Sequence, residues 1–185
     1  MNLLSQSASV NVSAWQNFYV IVGSAGGALI GIQFVVIALI ANLHHRASSE
    51  TIDAFGTPTV VHFGGALAIA AIMTAPWPSL RATSVALAMC GVGGLGYAAI
   101  TFRRARRQSA YKPVLEDWIW YVIVPCCLYA ALAVAAFCLR ATTLVSPFMI
   151  GGVAMGLLFT GIHNAWDTIT HLVATRPPVE GKQPE

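Results

Sequence analysis

Apolar residues come in five long blocks, each near the roughly 20 residues a helix needs to cross about 30 Å of hydrocarbon. The blocks run approximately Phe18–Leu43, Thr59–Trp77, Ala82–Phe102, Trp118–Leu139 and Leu144–Ile162. Their punctuation is that of helices. Thr57-Pro58 supplies an N-cap with proline at the first helical position, Pro76 and Pro78 close the second block, and Pro177-Pro178 stops the last helix. Pro147 falls in the first turn of the fifth block, where its missing N–H costs little, whereas Pro125 lies inside the fourth and is expected to kink it. All five tryptophans, Trp15, Trp77, Trp118, Trp120 and Trp166, stand at or just beyond block ends, where amphipathic rings meet a membrane interface. The expected fold is an all-α integral membrane protein, a single transmembrane domain over residues 1–175 with five helices. The fifth should continue past the membrane to about residue 175, leaving 176–185 as a short polar tail.

Composition agrees. Hydrophobic residues make up 57% of the 185, charged residues 9%, and the mean hydropathy is +0.70, where soluble domains carry about a quarter charged residues. No soluble domain can be cut out of the chain. Cys90, Cys126, Cys127 and Cys138 all lie in apolar runs without CxxC spacing and read as buried thiols. The start "MNLLSQSASVNVSAWQNFY" has neither a basic n-region nor a short apolar core before a cleavage site, so a removable signal peptide is not expected.

Charge sets the expected orientation. The run "RRARRQSAYK" places Arg103, Arg104, Arg106, Arg107 and Lys112 in the third-to-fourth loop, whereas the turns on the opposite side carry only Arg81 and Arg140. By the positive-inside rule this loop is cytoplasmic, the N-terminus outside and the C-terminus inside, joined there by Arg46, Arg176 and Lys182. The basic run lies beside lipid headgroups, so no nucleic-acid partner is expected. The expected setting is a cell membrane, of the bacterial inner-membrane kind, with the bilayer as first partner.

The same topology gathers every histidine and every acid on one side. His44 and His45 end the first helix, His62 lies about one turn into the second, and Glu116 and Asp117 precede the fourth. In "GIHNAWDTITHL", His163, Asp167 and His171 recur at i, i+4 and i+8, along one helix face. His163, Asp167, His171, His44 and His45 are therefore the candidate sensor residues of a cytoplasmic mouth. One helix face cannot bring all three of its groups to one ion, so a proton-sensitive cluster is expected rather than a metal site. The plainer reading is the hydrated end of a helix.

Small and polar residues mark the interior. Gly23, Gly27 and Gly31 repeat at i+4, and Gly152 and Gly156 begin a second ridge; both are expected to pack helices, within a subunit or between subunits, because association in lipid relies on close backbone approach. No Asp, Glu, Lys or Arg falls in the middle of a span, which argues against ion-coupled transport. Gln33, Ser24, His62, Thr160 and Asn164 are the candidate pore or polar-core residues. Gln33, an amide halfway along the first helix, needs a partner or water.

No catalytic motif is present: no G-x-S-x-G, no H-E-x-x-H, no P-loop. An enzyme is not expected, nor a cofactor. The leading expectation is a homo-oligomeric passive channel for an ion or small solute, with the histidine and carboxylate cluster at its cytoplasmic mouth. The alternative is a non-catalytic accessory subunit bound to a membrane protein partner. A minor third is a haem subunit ligated by His62 and His163. The orientation is open to labelling: with Ser109→Cys in a cysteine-free background, a membrane-impermeant thiol reagent added outside should leave the residue unlabelled, and labelling from outside would reverse the topology.

Overall fold

The computed structural model describes residues 14–43, 57–107, 115–139 and 145–174. It contains five helices long and apolar enough to cross a membrane, and no strand among the described residues. They are α1 (Gln16–Leu43), α2 (Thr57–Thr74), α3 (Leu80–Arg107), α4 and α5 (Ser146–Ala174). α4 has three parts: an α-helical turn Leu115–Trp118, a π-helical turn Ile119–Ile123 and an α-helical stretch Val124–Cys138.

The polar residues at the breaks explain where helices stop. α2 ends as Thr74 turns its hydroxyl back to the Ala70 carbonyl at 2.9 Å, and Trp77 Nε1 donates to the Ile72 carbonyl at 2.7 Å. Carbonyls orphaned at the helix end thus find donors although prolines follow. Ser79 Oγ accepts the Ala82 N–H at 3.3 Å, a side-chain cap for α3. The disturbance expected at Pro125 takes the form of the π turn. Proline offers no N–H to the carbonyl four residues back, and the preceding turn widens until Val124 N–H bonds to the Ile119 carbonyl.

α2, α5, α4 and α3 form a ring in which α5 packs on both α2 and α4, while α1 lies outside, mainly against α2. Ala66 and Ile69 of α2, Leu87 of α3, Leu132 and Ala135 of α4, and Ile150, Ala154 and Leu157 of α5 are fully buried at its centre. α1 instead presents Ile21, Ile32, Phe34, Val35 and Leu39 outward, as a lipid-facing helix does. Arg103, Arg104 and Arg106 stand exposed where α3 ends, α4 begins and α5 finishes, hereafter the basic end. The finish of α1 and the start of α2 share it.

Within one chain, the two glycine rows meet neighbouring helices only in part. α1 meets α2 through Gly23 and Gly26, not through the Gly23, Gly27, Gly31 ridge. A Cβ on Gly26 would lie 3.2 Å from the Phe63 carbonyl oxygen and one on Gly23 3.1 Å from Ala70 Cβ, whereas Gly27, Gly31 and, on α5, Gly152 have nothing within 4 Å among the described residues. An i+3 step along the crossing, rather than i+4, carries the contact. Gly156 does sit in a close approach, 2.7 Å from Leu128 of α4 by the same measure. Replacement by leucine should separate the two classes. Gly26→Leu should destabilise the protein by about 1–3 kcal/mol through overpacking, whereas Gly27→Leu should leave thermal unfolding of the detergent-dispersed monomer unchanged; equal melting of the two monomers would refute the α1–α2 contact.

Candidate functional site: the polar half of the bundle

Buried polar side chains collect toward the basic end. Phe63 of α2 packs against Gly161 of α5, and Gly65 lies beside Leu157, which fixes an antiparallel register between these helices. That register sets Thr59 and His62 on α2 level with Thr160 and Asn164 on α5. All four are buried, His62 at 1% exposure and Asn164 at 0%. Extending the α1–α2 register from Gly26 against Phe63 brings Gln33, also buried, level with the first turn of α2. Between this group and the opposite end lies the apolar centre, beyond which Thr83, Ser84 and Ser146 are again buried.

His62 is held by Tyr129 of α4, whose hydroxyl lies 3.5 Å from Nδ1 with ring centroids 6.1 Å apart. Glycine makes this possible. The Tyr129 ring lies across Gly94 of α3, where any Cβ would collide with it, and its hydroxyl comes 2.8 Å from where a Cβ on Gly65 would be. Thr160 returns its hydroxyl to the Gly156 carbonyl at 2.7 Å and Thr168 to the Asn164 carbonyl at 2.8 Å, the usual way a threonine satisfies itself in a membrane helix. His62 Nε2 and both amide atoms of Asn164 have no partner among the described residues. Each such atom costs about 1–3 kcal/mol when left unmet.

At the basic end the π turn aims two aromatic residues at α5. Trp120 stacks on His163 with centroids 3.9 Å apart, and His163 Nε2 lies 3.8 Å from Glu116 Oε1. Tyr121 donates to the Asn164 carbonyl at 3.4 Å and lies 3.5 Å from Asp167 Oδ2. So His163 and Asp167, one turn apart on α5, each find a partner on α4. His163 Nδ1 is buried and has no partner among the described residues.

Compared with known proteins, the chain matches no family model, no curated protein and no solved structure. The site therefore rests on its own geometry.

Of the candidate core residues, Gln33, His62, Thr160 and Asn164 gather in the inner layers, and Ser24 does not: it is exposed on the outer side of α1. Its position two residues before Gly26 turns it away from the α2 contact. His62 and His163 lie at similar depth but are turned to different partners, Tyr129 for one and Glu116 with Trp120 for the other. His44 and His45 lie outside the described residues, and so does the side chain of His171. Sequence reasoning missed Tyr129, Tyr121 and Trp120 as site residues, because aromatic residues in an apolar run carry no sign of what their polar atoms touch. A glycine pair on α3 tests the arrangement. Gly94→Ala should displace Tyr129 and lower the melting temperature, whereas Gly93→Ala, with nothing within 4 Å of its Cβ, should be neutral or stabilising as in any helix. Indistinguishable melting would sink the placement of Tyr129.

Proposed function

We propose that this protein is a passive permeation protein of the membrane whose pathway enters at the basic end, on the cytoplasmic side, and is closed in this conformation by the apolar centre of the bundle. One observation carries the reading: hydrogen-bonding atoms of His62 and Asn164 lie deep among the helices without partners among the described residues. A purely structural bundle in hydrocarbon would satisfy or omit them. Buried polar groups toward both ends with fully buried Ile69, Leu87, Leu132 and Leu157 between them suit a hydrophobic constriction that blocks flow until it is wetted.

The mouth supplies a means of control. His163 faces Glu116 and Trp120 of α4, with Asp117 on the same turn of that helix and Asp167 and His171 on the next turns of its own. The His163 imidazole stands 3.8 Å from the Glu116 carboxylate, so a proton gained there would make the contact an ion pair and change the charge at the entrance. This makes the pathway sensitive to cytoplasmic pH, with His44 and His45 on the same side by sequence.

Assembly into a homo-oligomer is supported by the small residues α1 leaves uncovered, Ser24, Gly27 and Gly31, a smooth face of the kind that associates in lipid. The same face favours the second reading, an accessory subunit bound to a different membrane protein. Flux decides between them. Purified protein in liposomes should raise solute or ion flux above protein-free liposomes, with a rate that changes between about pH 5 and pH 8 and a flattened profile in His163→Gln. No flux at any pH would leave the accessory reading in possession.

A further inference from the structure

We infer that His62 Nε2 and the Asn164 side chain, buried and unmet among the described residues at one level of the bundle, bind a small uncharged molecule that both donates and accepts hydrogen bonds, of the class of water, ammonia or a simple amide. The inference takes its site from the permeation reading and adds the class of occupant.

The chemistry of the unmet atoms defines that class. Asn164 offers donors on Nδ2 and an acceptor on Oδ1, all at 0% exposure and none paired within the described residues. His62 adds Nε2, and its role adapts. If the Tyr129 hydroxyl donates to Nδ1, Nε2 carries the proton and donates; if Nδ1 donates to Tyr129, Nε2 accepts. An occupant must therefore present both polarities, and His62 follows whichever it presents.

Charge is excluded by what surrounds the site. No Asp, Glu, Lys or Arg lies between residues 16 and 43 of α1, 57 and 74 of α2, 82 and 102 of α3, 118 and 138 of α4, or 146 and 166 of α5. The first carboxylate beyond Asn164 on α5, Asp167, is one turn toward the basic end and engaged with Tyr121. An ion beside His62 would be desolvated with no counter-charge, a cost far above that of a neutral molecule with a few hydrogen bonds. Size is limited as well, because Phe63 already fills the place at Gly161 and the Tyr129 hydroxyl the place at Gly65.

Two measurements on the full-length protein in liposomes test this. Water-edited solid-state NMR of isotopically labelled histidine, with His62→Phe to assign the signal, should show His62 Nε2 in contact with water protons; a dry Nε2 overturns the site whatever the flux. Stopped-flow measurement should then show water, ammonia or urea passing severalfold faster than through protein-free liposomes, with potassium and chloride unchanged. Asn164→Leu, apolar and of similar size, should abolish the acceleration while folding normally. Ion flux of the same magnitude, or neutral flux that survives both Asn164→Leu and His62→Phe, overturns the assignment. A hydrated Nε2 without any flux supports the site and refutes permeation, so the two failures are distinct.

Discussion

Hydrocarbon offers no hydrogen bond, and that absence governs every level of this protein. Backbone groups can be met only within helices, hence five spans and no exposed irregular backbone within them. The same demand shapes the side chains. Thr74, Thr83, Thr160, Thr168 and Thr170 all fold their hydroxyls back onto carbonyls three or four residues earlier. Tyr19 sends its hydroxyl to the Pro147 carbonyl at 3.2 Å, tying α1 to the start of α5. Against that background, His62 Nε2 and the Asn164 amide stand out as buried atoms unmet among the described residues at one level of the bundle, with His163 Nδ1 one turn from Asn164 and a single hydroxyl, Ser84 Oγ, unmet at the opposite end.

Close approach between helices depends on the same scarcity of driving force. With lipid as apolar as the core, helices gain little by hiding apolar surface and much by fitting closely. Gly26 lets α1 touch the backbone of α2, and Gly94 and Gly65 make room for Tyr129, which in turn reaches His62. Packing and site are one arrangement, since the glycines that bring α2, α3 and α4 together also place the hydroxyl on the imidazole.

The five spans were legible because apolar length and proline punctuation are local properties. The ridge on α1 was legible as a row of small residues but not as a contact, since a repeat of four names a stripe without saying which side meets a neighbour. Gln33, His62, Thr160 and Asn164 could be picked out as polar residues in apolar surroundings. Ser24 looked the same and is on the outside, because one helix alone does not reveal its inward face. The pairing of His163 with Glu116 joins residues far apart in sequence and depends on the π turn before Pro125, which no spacing rule supplies.

α5 stands between α2 and α4 and carries much of the central packing, yet it is the last of the five spans to be made. Until it leaves the ribosome, α2 and α4 lack the surface that joins them, and the ring cannot close. Apart from α5, the contacts that join the other helices are those of α1 with α2 and of α3 with α4, with a smaller contact between α2 and α3. Closure of the ring thus depends on α5, and a chain cut short before Ser146 would lack the surface that joins α2 to α4.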